Sequence, residues 1–167
     1  MIRNKSIRTI LWLGLSVIVV ELFSCKGGED CNVPCYFGAC SNNSCNCNPG
    51  YEGDSCTILT TEKFIGSWLA TDSCVIDNFG YTATIAASST IANTLQITNL
   101  GEFGTNFIVE ANVSGFTFTI PTQTVEGITL SGSGVVDTVA KTIVVSYDAK
   151  ETGTGKTDAC SGLWFKQ

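Results

Sequence analysis

Histidine is absent from this 167-residue chain, and no arginine follows Arg8. Without an imidazole, Ser–His and Cys–His nucleophiles drop out, and so does the usual nitrogen ligand of zinc. Lys and Arg together number 9 against 15 acids. A surface so acidic, without the forked guanidinium past its first residues, is a poor phosphate binder, so nucleic acid is not an expected partner. Proline is scarce: past Phe64 it occurs once, as Pro121. That same stretch shows no sustained helical period, which argues against an α-helical domain. The longest apolar run, Ile10 to Val20, falls short of the roughly 20 residues that a spanning helix needs.

Basic residues Arg3, Lys5 and Arg8 precede that run, and Glu21 ends it, which is the layout of a secretory signal peptide. The run closes on Leu22-Phe23-Ser24-Cys25. A leucine three places before a cysteine resembles the lipobox of bacterial lipoproteins. The resemblance implies that residues 1–24 are a lipoprotein signal peptide, that cleavage falls before Cys25, and that Cys25 carries acyl chains on its sulfur and its amine. The mature chain, residues 25–167, would hold 6 lysines against 14 acids, a net charge of −8. Such a surface gives no pull toward anionic lipid, so the expected membrane contact is the N-terminal lipid itself. Residues 25–30 form a lipidated tether, and its Lys26-Gly-Gly-Glu-Asp30 resembles the surface-export signal of Bacteroidetes lipoproteins. That likeness implies an exported protein anchored to the outer membrane and facing the cell surface.

Nine cysteines are an odd number; with Cys25 lipidated, eight remain for four disulfides. Six of them lie in residues 31–56 as Cys31-x3-Cys35-x4-Cys40-x4-Cys45-x-Cys47-x8-Cys56. So short a stretch cannot build an apolar core, so bridges must hold it, and spacing alone leaves 15 connectivities open. Cys45-x-Cys47, followed by Gly50, Tyr51 and Gly53 before Cys56, resembles the EGF-like module. The resemblance implies the pairs Cys31–Cys40, Cys35–Cys45 and Cys47–Cys56. An oxidising compartment and the lack of histidine argue against a metal cluster. The calcium-binding subclass of the module carries an aromatic between its third and fourth cysteines; Ser41 to Ser44 has none, so no calcium is expected, and no other metal or cofactor.

Residues 57–63 read as a linker, and residues 64–167 change in texture to Thr, Val, Ile, Gly and aromatics in alternating segments between turns. The expected strands are Ile65–Ser73, Phe79–Ala86, Thr94–Leu100, Asn106–Val113, Phe116–Pro121, Gly127–Val136, Thr142–Lys150 and Cys160–Phe165. The fold class is therefore mainly β: a small disulfide-rich module, then an antiparallel eight-stranded meander β-barrel, with a β-sandwich as the alternative. Gly66-Ser67-Trp68 in the first strand resembles the opening motif of lipocalins and other calycins. That implies Gly66 and Trp68 at the base of the barrel, with a basic side chain of the last strand, usually arginine, over the indole. No arginine stands there; Trp164 and Lys166 occupy the region. Cys74 ends the first strand and Cys160 begins the last, so a closed meander would let the pair bridge its seam, a loop of about 86 residues worth at most ~4–5 kcal/mol.

Two motifs that suggest catalysis fail. Gly155-Lys156-Thr157 lacks the first P-loop glycine, since Lys150 stands in its place, and Ser133 lacks the glycine two before it, which is Ser131. Glu102, Glu110, Glu126, Asp137 and Asp148 stand singly. With every cysteine assigned, the chain reads as a non-enzyme unless the fold itself assembles carboxylates. Asp137-Thr138-Val139 resembles the short O-glycosylation motif of Bacteroidetes exported proteins, which implicates Thr138. Two functions fit: a binding module whose barrel takes a small apolar ligand, a glycan or a protein, and a structural or adhesive envelope protein with no pocket. Phe107/Val109, Phe116/Phe118 and Ile143/Val145/Tyr147 could line a cavity or fill it. An open-mouthed pocket of ~300 Å³ or more favours the first reading, and a collapsed interior the second.

Overall fold

The computed structural model describes residues 31–167; the expected signal peptide (1–24), the expected lipidation site Cys25 and the expected tether (25–30) lie outside them. The disulfide-rich region comes first. Strands β1 (Gly38–Ser41) and β2 (Ser44–Cys47) form an antiparallel hairpin. Asn42 and Asn43 make its turn, both at positive φ (52° and 63°), a conformation that asparagine tolerates better than most residues. Two short strands follow, β3 (Tyr51–Glu52) paired with β4 (Ile58–Leu59). Few side chains here are buried, so covalent bonds do the holding: Cys31–Cys40, Cys35–Cys45 and Cys47–Cys56. Tyr51 stacks on Phe37 with ring centroids 4.3 Å apart.

Eight longer strands then run β5 (Gly66–Cys74), β6 (Asn78–Ala87), β7 (Thr94–Thr98), β8 (Ile108–Ser114), β9 (Thr117–Val125), β10 (Ile128–Asp137), β11 (Thr142–Glu151) and β12 (Thr157–Lys166). Each pairs antiparallel with the next, and β12 pairs with β5 from Cys160↔Cys74 to Lys166↔Trp68. The sheet is thus a closed meander barrel, and the sandwich alternative is excluded because β5 and β12 keep no free edge. Side chains alternate strictly along β5, β6, β8, β11 and β12, with Trp68, Ala70, Tyr81, Ala83, Ile85, Val109, Ile143, Val145 and Trp164 turned inward.

The expected strands agree with these to within a few residues, and the departures have local causes. β7 stops at Thr98, because Asn99 adopts a left-handed conformation and Leu100–Glu102 turn as a short 3-10 helix. Phe116 lies in the β8–β9 turn and is 53% exposed, so it neither lines nor fills the interior. β9 continues past Pro121 to Val125, because the register shifts between Leu130 and Gly132 and leaves Pro121 and Thr122 without partners on β10. Proline, lacking an N–H, is accommodated at such a bulge. Where β9 leaves β8, the Gln123 amide takes over the ladder: its Oε1 accepts from Glu110 N (3.0 Å) and its Nε2 donates to Glu110 O (2.7 Å).

The N-terminal region rests on the barrel end formed by the β6–β7 and β8–β9 connections. Thr60 N donates to Gly50 O (3.0 Å), and Lys63 forms a 2.6 Å ion pair with Glu52. Gly50, at φ +92°, packs so close to Ala92 that a side-chain carbon there would meet its backbone at 2.9 Å.

Candidate binding site at the barrel mouth

Along β5 the inward positions run Trp68, Ala70, Asp72, and the last of these places a carboxylate in the barrel with no exposure to solvent. A buried carboxylate is costly unless it accepts several hydrogen bonds. Asp72 accepts three. Tyr81 Oη of β6 donates to Oδ2 (2.6 Å), Tyr147 Oη of β11 donates to the same oxygen (2.8 Å), and Trp164 Nε1 of β12 donates to Oδ1 (2.8 Å). Burial above all pushes the Tyr81 phenol above its ordinary range, with the Tyr147 and Asp72 charges adding to it. Tyr147 is raised too, by burial and then by Asp72. Both phenols therefore stay protonated and act as donors. The Tyr81 hydroxyl in turn accepts from Gly101 N (2.8 Å), which ties the β7–β8 connection to the cluster. Room for the carboxylate comes from Gly162, its register partner on β12, where any Cβ would collide with Asp72 Oδ1.

Above this network the barrel opens. A cavity of about 260 Å³ lies among the β5–β6, β7–β8, β9–β10 and β11–β12 connections. Its walls are mostly apolar, with Ile76, Phe79, Phe103, Ile128 and Ala149; Tyr147 and Gly101 also border it; and Glu151, Lys156 and Asp158 are its charged members. Below it the interior is packed with buried side chains, among them Phe64, Trp68, Phe107, Phe118 and Ile97. The site is a shallow cup over a filled core, apolar in its walls, with Asp72 already engaged at both oxygens.

No protein-family model matches the chain, and no curated protein matches it. Among solved structures it is similar to a structural-genomics protein of unknown function from Bacteroides ovatus, at 13% identity and a TM-score of 0.46. That similarity covers 62% of this chain and 42% of the other, so this chain spans less than half of that protein's length.

The remaining residues singled out from sequence divide between the two ends. At the mouth, Cys74 and Cys160 are bonded, with Cα atoms 4.0 Å apart. Asp158 lies beside them, but bonded sulfurs offer no thiolate to a metal, and the same holds for the grouping of Cys31, Cys35 and Cys45. At the opposite end Trp68 is fully buried and donates through Nε1 to Phe64 O (2.7 Å). Lys166 Nζ lies 5.4 Å from the Trp68 ring, a cation–π contact, while Trp164 is committed to Asp72 instead. Gly66 precedes Trp68 by two residues, at φ +138°. Thr138 is exposed in the β10–β11 turn, which Asp137 Oδ1 shapes by accepting from Val139 N (2.8 Å) and Ala140 N (2.9 Å). Sequence reading passed over Asp72, Tyr81 and Gly162. The signal was present: Asp72 follows Trp68 by four residues on an alternating strand, so it falls on the same face.

Proposed function

We propose that this protein is a lipid-anchored, surface-exposed binding module that holds a small apolar ligand in the mouth of its barrel. The observation that carries the reading is the cavity of about 260 Å³ with apolar walls at one end of the closed sheet. That volume falls short of the ~300 Å³ at which ligand pockets usually begin, so the cup has room only for a ring-sized ligand or the end of a longer chain. Cys25 anchors the mature chain to the outer membrane through its acyl chains, and an EGF-like module spaces the calycin-like barrel from the tether. Thr138, exposed at a hairpin tip, is the position for O-glycosylation. The reading is non-enzymatic: Asp72, buried within the barrel with no exposure to solvent, accepts three hydrogen bonds from Tyr81, Tyr147 and Trp164 and is held as a structural acceptor.

A second reading, an adhesive envelope protein without a ligand, draws support from the packed interior below the cup. Titration of the full chain with 1-aminoanthracene, a neutral apolar fluorophore, separates the two. Enhanced emission that is lost in Ile128→Trp, which narrows the mouth, supports the binding module. No enhancement up to the solubility limit supports the adhesive reading. Detergent phase partition of Cys25→Ala tests the anchor, and unchanged partition would refute lipidation.

A further inference from the structure

A second cavity, of about 440 Å³, lies in the seam between the disulfide-rich region and the barrel, remote from the mouth. We infer that this seam is a binding site for a neutral saccharide. Three features of its lining carry the inference. No Lys, Asp or Glu borders it among the described residues, so in a strongly acidic chain the site is uncharged and suits a ligand without charge. Asn48, Asn93 and Ser114 border it, and their side chains make no hydrogen bond to other described residues, which leaves two amides and a hydroxyl to serve as donors and acceptors. Thr60 also borders the seam, but its unpartnered Oγ1 is closed to solvent and so faces away from the cavity.

Tyr51 supplies the remaining element. Tyr51 borders the cavity, and stacking on Phe37 covers one face of its ring and fixes its orientation, leaving the other face for a ligand. The negative face of an aromatic ring attracts the weakly positive C–H face of a sugar, while the surrounding amides and hydroxyls meet the sugar's hydroxyls. A purely apolar ligand would leave those polar groups unpaired, and an ion would find no counter-charge. Each wall is braced within itself: Val113 N donates to Asn93 O (2.7 Å) on the barrel side, and Thr60 N to Gly50 O (3.0 Å) on the side of the disulfide-rich region. Sites of this kind gather where two structural units meet.

The test uses the full chain and a panel of neutral tetrasaccharides (malto-, cello-, xylo-, manno- and chito-series), with tetragalacturonate as the charged control. The expected result is amide chemical-shift change at Gly50, Asn93, Ser114 and Gly115 with at least one neutral sugar, and affinity at least tenfold weaker in Tyr51→Ala. Should Tyr51→Ala disturb the disulfide-rich region, Ser114→Trp at the end of β8 fills the seam from the barrel side and is expected to abolish the shifts. No response to any neutral sugar, tighter binding of tetragalacturonate, shifts at Phe103 and Ile128 instead, or binding that survives Ser114→Trp would each overturn the inference.

Discussion

Tyr81 donates a 2.6 Å hydrogen bond to Asp72 from the adjacent strand, in a place that solvent does not reach. With Tyr147 and Trp164 on the same carboxylate, one side chain gathers β5, β6, β11 and β12, so the cluster spans the seam where the sheet closes. Removing the acceptor strands three donors, each left unsatisfied at about 1–3 kcal/mol. Asp72→Ala is therefore expected to lower unfolding free energy by about 3–9 kcal/mol, read from urea denaturation. Asp72→Asn, which keeps one acceptor oxygen, should cost less. Equal stability of Asp72→Ala and the wild type would show that the cluster contributes nothing.

Alkali should attack the same cluster. Tyr81 and Tyr147 have folded-state pKa values raised, first by burial, above the unfolded value near ~10. For a group raised on folding, the stabilisation is fully present below the unfolded pKa and is lost as pH rises through the folded one. Unfolding free energy should thus hold up to about pH 10 and fall beyond it. The fall should be shallower in Tyr147→Phe. Phenolate absorbance assignable to Tyr81 or Tyr147 while the far-UV signal of the barrel is intact would contradict this.

Gly162 tests how tightly the carboxylate is fitted. A methyl at 162 collides with Asp72, and overpacking of this kind costs about 1–3 kcal/mol. In a double-mutant cycle, Gly162→Ala should be far less harmful when Asp72 is already Ala. Strict additivity would mean that the strain lies elsewhere.

The seam disulfide is expected to act on the unfolded chain rather than on strand order. Cys74 and Cys160 are 86 residues apart in sequence and already register partners in the β5–β12 ladder. Cys74→Ser with Cys160→Ser should lower the unfolding free energy by up to ~4–5 kcal/mol in the chain-entropy estimate, yet leave the β5–β12 amide contacts seen by NMR. Loss of those contacts in the folded double variant would show that the bond imposes the pairing.

Much of the barrel was legible because its information is local. Period-two alternation along β5, β6 and β11 marks a strand with one face inside, and turn residues between segments mark reversals. The bulge at Pro121 was not, since proline usually ends a strand and only the partner strand shows that it need not. The mouth was illegible for a different reason. Ile76 and Phe103 come from two separate connections and Ile128 from the start of β10, and no spacing in sequence tells that they share a wall. Asp72 sits between these cases: its face could be counted, but its partners Tyr147 and Trp164 are 75 and 92 residues away. A lone acid on a strand reads as a solvent-facing position until those donors are seen around it.

Parity decides how the barrel is carried. An up-and-down path with an even number of passes returns to the rim it left, so Gly66 and Lys166, at the ends of the first and eighth strands, lie at one rim. The four connections around the cup all lie at the other. Whatever holds this protein by the chain ahead of β5 grips it from the far side, and the cup points outward like the bowl of a spoon held by its handle.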